Sequence, residues 1–575
     1  MSAEFELRLG PADEARLAAV TEHARRGEWA RRLMDRDTTL WSDDPAVRAA
    51  IAGRLGWLEA PAHFTDQIAA LEGFGDGVRV AGFTTAVVMG MGGSSLAPEV
   101  LHRTFGTAAG YLDLRILDST DPDAVAATLD ELDPLATLWL IASKSGTTTE
   151  PLAFFADAWA RVAAALEAAG SGQRPGDFFV AITDPGRSVV AIPHHDELRE
   201  VFLNPPDIGG RYSALSYVGL VPASLIGLDL DALLASASTM LAACREPEPG
   251  RNPGVLLGLA LGELARAGRD KLTFITDPAL ASFGAWAEQL IAESTGKHGV
   301  GIVPVVGEPL GAVASYGPDR AFVGLSLTGS PDPSGARLDA LAAAGHPVIR
   351  LGLDDPMDLG GEFVRWEVAT TIAGAVLGID PFDQPNVEEA KERTRQVLSA
   401  ASVDPGAGVR ARVEAGAPAG PGILWIEELG VDGLARAIQS SLDDPRTGRY
   451  VGIQAFIAPS LERDAALGRV RGLIRDRTRT ATTAGYGPRF LHSTGQLHKG
   501  GAPIGWFLQL TAEHDHDREI PGWPYTFGQL IDAQAQGDAE SIVAHDLPII
   551  RLRLGRDPAA DLAVLERAFA TALEG

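Results

Sequence analysis

The sequence TLWLIASKSGTTTEP, residues 137–151, decides the fold that the chain can adopt. Its apolar run, residues 138–142, predicts a buried parallel strand, and Pro151 predicts the start of an amphipathic helix. The turn between them, residues 143–149, carries a lysine, a glycine and several hydroxyl side chains. Such a turn offers unpaired backbone N–H groups and the positive end of a helix dipole, which together suit a phosphate dianion.

The alternative interpretation of this turn is an ordinary helix cap, with Thr147 and Glu150 forming a capping box. Lys144 favours the phosphate site, because only five of the 49 Lys and Arg residues are lysines. A chain that uses arginine for most of its positive charge has kept lysine where a compact ammonium group is chemically useful.

Composition sets limits on size, partners and compartment. The 575 residues are too many for one core and predict three or four lobes. A net charge of -27 argues against nucleic acid or an anionic membrane as a partner, so an anionic substrate needs a local positive site. The one cysteine, Cys244, excludes an internal disulfide framework and a Cys-rich zinc site. With neither a signal sequence nor an apolar membrane span, the chain is expected to be cytoplasmic.

From residue 84 onward, apolar runs alternate with helical stretches. This alternation predicts an α/β fold of doubly wound parallel sheets, whose loops at the carboxyl ends of the strands form a ligand crevice. The predicted strands are residues 86–89, 114–117, 137–142, 178–182, 272–275, 322–325, 348–351, 452–457 and 506–510.

Four regions follow from this pattern. Residues 1–75 are predicted to be a helical N-terminal segment, 76–245 a first domain with the phosphate turn, and 246–400 a second domain. Residues 401–575 are predicted to be a C-terminal α/β lobe, entered through a Gly/Ala/Pro-rich linker at 401–422.

Several polar residues outside the phosphate turn are candidates for chemistry. Arg211 follows two glycines in a loop, although an ordinary surface arginine would look the same. Gln289 and Glu293 are four residues apart on a predicted helix and therefore share a face. Glu293 could act as a general base or be a solvated residue at a helix end. Lys391, on a helix after a proline-rich turn, could equally be an exposed helix lysine.

The segment 485–501 contains many glycines, two histidines and a lysine, which is more typical of a site loop than of a core element. His514 and His516 could bind a metal, but a solvated charged loop is the better interpretation because no third ligand is near in sequence. We therefore predict no metal site.

Five motifs in this order resemble those of the glucose-6-phosphate isomerase family, whose members are built from two sugar-isomerase (SIS) domains. The resemblance covers most of residues 30–575 and implies that regions 76–245 and 246–400 are SIS domains. The motifs are GMGGSSLAPE (90–99), ASKSGTTTEP (142–151), IGGRYSALS (208–216), AESTGK (292–297) and DPFDQPNVEEAK (380–391).

The resemblance also implies roles for individual residues. Glu293 matches the base of the isomerisation, Arg211 the arginine beside the enediolate, and Lys391 a lysine that assists ring opening. Gln289 matches a substrate-contacting glutamine. The residues that match phosphate and sugar contacts are Ser143, Lys144, Ser145, Thr147, Thr148, Gly93 and Ser94.

The ring-opening histidine is displaced in this chain. The family usually carries it between the glutamate and FDQ motifs, where His298 and His346 have no matching context. A similar sequence, STGQLHKGG (493–501), follows the FDQ motif instead and resembles a longer subgroup related to the isomerase half of transaldolase–isomerase fusions. A register shift of one residue leaves the assignment open between His498, our first choice, and His492.

The resemblance implies an enzyme that interconverts glucose 6-phosphate and fructose 6-phosphate in glycolysis and gluconeogenesis, without a metal or cofactor. Two alternatives stay open: a dual phosphoglucose/phosphomannose isomerase, and a non-catalytic phosphosugar-binding regulator with the SIS fold. The expected partner is a small sugar phosphate. Family members are commonly dimers that share an active site, which implies a homodimer, but the displaced histidine leaves open which chain donates it.

Overall fold

The computed structural model describes residues 4–329, 333–403, 423–442, 449–514 and 516–574. In these ranges the chain forms three five-stranded sheets, and no helix is both long and apolar enough to cross a membrane. The strands are β1 (Glu4–Arg8), β2 (Thr85–Gly90), β3 (Asp113–Leu117), β4 (Thr137–Ala142), β5 (Phe179–Thr183), β6 (Glu200–Leu203), β7 (Lys271–Thr276), β8 (Val303–Val305), β9 (Arg320–Leu327), β10 (Val348–Leu353), β11 (Ile423–Trp425), β12 (Tyr450–Phe456), β13 (Ala481–Tyr486), β14 (Gly505–Ala512) and β15 (Ile549–Leu554).

Helices alternate with the strands along the chain, as expected for connections between parallel strands. The α-helices are Pro11–Arg26, Trp29–Met34, Pro45–Ala52, Ala60–Thr65, Ile68–Val80, Leu96–Phe105, Pro122–Leu129, Thr149–Ala168, Arg187–Ala191, Tyr217–Leu225, Leu230–Ala243, Pro253–Arg266, Phe283–Thr295, Pro333–Ala343, Leu359–Leu377, Pro385–Val403, Ile426–Leu442, Leu461–Thr478, Gly495–Gly500, Phe527–Ala544 and Pro558–Ala572.

The first sheet has the order β3-β2-β4-β5-β6, and all of its strands are parallel. Strand β4 is buried at every position and pairs with β2 and β5, which explains its continuous apolar sequence. The four strands predicted for this sheet are confirmed. Strand β6, which the sequence analysis missed, has only four residues, lies at the edge of the sheet and is exposed or half-buried at every position.

The second sheet has the order β1-β10-β9-β7-β8. Its three predicted strands are confirmed, but the prediction that residues 1–75 are helical is wrong at their start. Strand β1 adds to the sheet edge antiparallel to β10, and Phe5 and Leu7 pack against the hydrophobic core. The alternation of apolar and charged residues in this strand is the signal that was overlooked.

The third sheet, in the order β11-β15-β14-β12-β13, is also parallel throughout. It confirms an α/β lobe near the C-terminus, although only β12 and β14 were predicted. We call the described residues from 423 to 574 the third unit. Of the predicted linker, residues 404–422 lie outside the described ranges.

The third unit is joined to the second sheet through buried contacts. Residues Val303 and Val305 of β8 share a hydrophobic cluster with Tyr450 and Phe507 of the third sheet. Beside this cluster, Nη2 of Arg320 contacts both carboxylate oxygens of Glu308, at 2.9 and 3.0 Å.

Glu308 also links the two sheets directly. Its carboxylate accepts hydrogen bonds from the backbone N–H and the hydroxyl of Thr482 on β13, at 2.9 and 2.8 Å. The side chains of Arg320 and Glu308 are 0% and 1% exposed. A buried carboxylate of this kind holds an arginine and a strand edge together.

We predict that Glu308→Ala lowers the free energy of unfolding by about 3–5 kcal/mol, because it leaves a buried guanidinium without its partner. Chemical denaturation followed by circular dichroism measures the loss. Glu566→Ala removes the partner of the exposed Arg469, at 2.8 Å, and should cost less than about 1 kcal/mol. Equal losses in the two variants would contradict the prediction.

Candidate active site

A cavity of about 800 Å³ opens where β2 and β4 end, as the topology of a doubly wound sheet predicts. We call it the central cavity. Its lining comes from the end of β4 and from segments that connect strands of all three sheets. It includes most of the residues singled out from the sequence: Gly93, Ser94, Lys144, Ser145, Thr147, Thr148, Arg211, Gln289, Glu293, Lys391 and His492.

The hydroxyl-rich turn forms one end of the central cavity. Ser143 lies just behind the lining, and its hydroxyl is 3.0 Å from that of Thr148. The hydroxyls of Ser145 and Thr147 are 2.9 Å apart. Gly146 has φ +67°, and a Cβ there would overlap the carbonyl oxygen of Ser188. The turn therefore presents hydroxyls and helix N–H groups in a tightly fixed backbone.

The alternative capping box is not formed. The N-cap of the helix Thr149–Ala168 is Thr148, and its side chain makes no capping hydrogen bond. Glu150 instead bonds to residues of the third unit, His492 and Gln534. Within the turn, the Ser145 hydroxyl accepts from the backbone N–H of Thr147 at 3.2 Å, but the N-cap side chain leaves the first N–H groups of the helix free for a ligand.

Lys144 is already engaged in the structure. Its ammonium group donates to Asp184 at 2.5 Å and to the Pro206 carbonyl at 3.0 Å. Arg54, which the sequence analysis missed, lines the same end of the central cavity. Its guanidinium has a 3.4 Å hydrogen bond to the Gly53 carbonyl and, within the described part of the chain, no ion pair. Arg54 is therefore available to an anion.

The glycine-rich segment after β2 meets the loop that carries Arg211. Gly93 touches this loop so closely that a Cβ would overlap the carbonyl oxygen of Gly210. The contact places Ser94 and the guanidinium of Arg211 on one wall of the central cavity.

Several partners fix the guanidinium of Arg211, which is 4% exposed. It donates to the Ser294 hydroxyl at 2.8 Å and to the carbonyls of Pro381 and Asp383 at 2.8 and 3.0 Å. Nη1 also lies 3.1 Å from the Gln384 side-chain oxygen and 3.2 Å from the Glu293 carboxylate. Arg211 thus joins the FDQ motif to the glutamate.

Lys297, a further residue that the sequence analysis did not assign, supports the same segment. Its buried ammonium group donates to the carbonyl of Asp380 at 2.5 Å and to the carboxylate of Asp383 at 2.6 Å. Burial and the nearby Arg211 lower the pKa of Lys297 to about 8, although Asp383 opposes this. The segment that orients Arg211 is therefore itself held by a lysine.

Glu293 and Gln289 lie on one face of the helix Phe283–Thr295, as their spacing predicts. Glu293 is 7% exposed, and its carboxylate accepts a 3.1 Å hydrogen bond from the Gln289 amide. The same amide donates to the carbonyl of His492 at 2.7 Å. Gln289 thus connects the candidate base to the histidine.

His492 is the histidine that the structure brings to the central cavity. Its Nε2 lies 3.0 Å from a carboxylate oxygen of Glu150, which also accepts a 2.7 Å hydrogen bond from the Gln534 amide. Gln534 in turn accepts from the Thr120 hydroxyl at 2.7 Å. Burial alone would raise the pKa of Glu150, but His492 and Lys391 lower it below its ordinary value.

His498, our first choice, lies outside the lining of the central cavity, on the helix Gly495–Gly500. Its ring is 6% exposed and packs between Phe490 and Phe507, at centroid distances of 5.8 and 5.0 Å. Burial lowers its pKa to about 3. The short helix turns this side chain into the third unit, so the geometry transfers the proposed role to the second choice, His492.

Lys391 lines the central cavity and is bonded to Glu388 at 2.9 Å, with 42% of its side chain exposed. His514 is half-buried near Asp121 and Asp532, at 3.8 and 3.9 Å. Among the residues that the structure describes, no cluster of His, Cys, Asp or Glu has the arrangement of a metal site.

Comparisons with known protein sequences find relatives of this chain. A family model described as phosphoglucose isomerase matches residues 21–306. A glucose-6-phosphate isomerase from Rubrobacter xylanophilus is 33% identical over 404 residues, which cover 61% of this chain and 91% of that relative. Another from Symbiobacterium thermophilum is 29% identical over 395 residues, covering 60% and 87%.

Two solved structures share the fold. A hypothetical protein from Thermus thermophilus is 26% identical with a TM-score of 0.55, covering 69% of this chain and all of that one. A glucose-6-phosphate isomerase from Chlamydia trachomatis is 24% identical with a TM-score of 0.51, covering 66% and 79%.

We predict that Gly146→Ala weakens the binding of inorganic phosphate at least about tenfold, because the added Cβ forces the turn away from Ser188. Isothermal titration calorimetry measures the affinity. Gly170→Ala is the matched control, since Gly170 also has a positive φ, +61°, but open space around it. It should keep the affinity of the unaltered chain; an unchanged affinity in Gly146→Ala would argue against an anion site at the turn.

Proposed function

This chain belongs to the phosphoglucose isomerase family, and we propose that it interconverts glucose 6-phosphate and fructose 6-phosphate through an enediolate. One observation carries the proposal: the hydroxyl-rich turn, the Glu293–Arg211 pair and the Glu150–His492 pair all line one cavity. A cavity of about 800 Å³ accommodates a phosphorylated six-carbon sugar between them.

In this proposal the turn binds the phosphate and sets the position of the sugar carbons. Helix N–H groups, the hydroxyls of Ser145, Thr147 and Thr148, and the guanidinium of Arg54 are the donors. Because the phosphate is remote from the reacting carbons, its binding energy serves to position C1 and C2 against the base.

Ring opening is assigned to His492. The imidazole transfers a proton between the ring oxygen and the anomeric hydroxyl, which releases the open-chain aldehyde. Ionised Glu150 stabilises the protonated imidazole and fixes its orientation through the 3.0 Å contact. Lys391, which lines the same cavity, supports the developing charge.

Glu293 is assigned the isomerisation. Its carboxylate takes the proton from C2 of the open aldose and returns it to C1, while a proton passes from the C2 oxygen to the C1 oxygen so that the carbonyl moves to C2. The fixed guanidinium of Arg211 stabilises the enediolate oxygens. This shuttle uses a single carboxylate and changes no overall oxidation state, so the chain's own residues suffice for each proton transfer.

The setting that we propose is a cytoplasmic step of glycolysis and gluconeogenesis. The other two functions raised by the sequence are less well supported. A non-catalytic regulator has no need for a base held by Arg211 and Gln289, and a coupled assay of turnover separates it from an isomerase. Assaying mannose 6-phosphate as substrate tests the dual specificity.

We predict that Glu293→Gln lowers kcat by about 10²- to 10⁴-fold while substrate affinity is largely kept, because the amide oxygen can still accept hydrogen bonds from Arg211 and Gln289 but cannot take a proton from carbon. A coupled assay with fructose 6-phosphate measures kcat. Glu288→Gln, at a nearby position on the same helix, is the matched control. Its side chain is outside the cavity lining, and burial raises its pKa to about 8, so the neutral amide replaces a mostly protonated acid. Robust turnover by Glu293→Gln would remove the base assignment.

His492→Ala should slow the reaction of cyclic glucose 6-phosphate by about 10²- to 10⁴-fold, since the ring must then open without its acid–base group. His498→Ala should chiefly lower the melting temperature, because it opens a gap beside Phe490 and Phe507. Turnover and thermal unfolding are measured on both variants. The opposite pattern, with turnover lost only in the folded His498→Ala protein, would return the role to His498.

A further inference from the structure

We infer that each active site is formed by a single chain. The third unit of that chain supplies the acid–base histidine, so a second copy does not need to donate one. This inference rests on the proposed function and deepens it, because it assigns a task to the C-terminal region. It also departs from the homodimer with a shared site that the resemblance implies.

Residues of the third unit line the central cavity. His492 and Leu491 follow β13, while Tyr525 and Gln534 come from the connection between β14 and β15; all four line the cavity. Two of them reach the helix that follows β4 of the first sheet: His492 and Gln534 both bond to Glu150. The Glu150–His492 pair is thus made of one residue from the first sheet's region and one from the third unit of the same chain.

The backbone of the histidine loop is held as closely as its side chain. The His492 carbonyl accepts from the Gln289 amide at 2.7 Å. A Cβ on Gly92 would overlap that same carbonyl oxygen, so the loop lies directly against the glycine-rich segment after β2. A histidine from a second chain would have to displace this packed segment.

Buried and half-buried contacts outside the cavity fix the third unit in place. Arg489 donates to Asp118 at 2.5 Å, and Arg518 bonds to Asp157 at 2.9 Å. The Gln496 amide group donates to the Gly296 carbonyl at 3.0 Å and accepts from the Asn386 backbone at 2.8 Å. These contacts tie it to the regions around both other sheets, so the third unit is an integral wall of the site.

A complementation experiment tests the inference. Glu293→Gln and His492→Ala chains, carrying different affinity tags, are co-expressed, and the activity of the mixture is measured. If the site lies within one chain, every site lacks one group, and the mixture shows only the sum of the two residual activities. If chains exchanged the histidine, half of randomly assorted dimers would contain one intact site out of two, giving the mixture about a quarter of the wild-type activity.

Recovery of about a quarter of the activity would overturn the inference while leaving the proposed isomerase intact. Absence of turnover in the unaltered chain would overturn both. His492→Gln is tested beside His492→Ala to separate loss of the imidazole from loss of folding, with circular dichroism on each. His516→Ala, which removes an exposed histidine of the same unit, is the matched control and should keep the activity of the unaltered chain.

Discussion

The Glu150 carboxylate is buried in the first turn of the helix Thr149–Ala168, and a buried ionised group requires hydrogen-bond partners. His492 and Gln534 supply them, and both come from the third unit. Removing one partner of such a buried pair typically lowers the free energy of unfolding by about 3–5 kcal/mol. The same interaction therefore orients the cavity histidine and contributes to holding the third unit against the first sheet.

The first and second sheets are coupled in a comparable way through Arg211. Its donors are directed to the Ser294 hydroxyl, to carbonyls of the FDQ motif and to the Glu293 carboxylate. Because these partners are already in place, the guanidinium does not need to reorient when charge develops on a substrate. Lys297 holds the same motif from the other side, so the positive charge of the site rests on a buried framework.

The parts of the fold that could be predicted are those that bury continuous apolar runs. Strands β2, β4, β9 and β14 are of this kind, and each was placed within a few residues. Strand β13, ATTAGY, has few large apolar side chains and was missed, because its burial comes from packing between sheets rather than from its own composition. Edge strands β1 and β6 were missed because one face or most of the strand is exposed.

The parts of the site that could be predicted are those that a single local motif positions. The turn, Arg211 and Glu293 follow from local motifs, since a strand end, a loop or a helix face positions them. The choice between His492 and His498 does not, because it depends on which way the short helix Gly495–Gly500 turns relative to the aromatic residues around it. Glu150 was considered only as a cap, since its partner is 342 residues away in the chain.

The net charge of the chain limits the ways in which the turn can bind a phosphate group. A chain with a charge of -27 repels a phosphate dianion at long range, so the site must offset that repulsion locally. Lys144 contributes little free charge because Asp184 neutralises it at 2.5 Å. Binding must then rely on backbone N–H groups and hydroxyls, which carry no net charge to be screened by salt, together with Arg54 at the cavity wall. Such a site selects the geometry of a phosphate group rather than negative charge in general, and this suits an enzyme that has to position one end of a sugar against a base at the other.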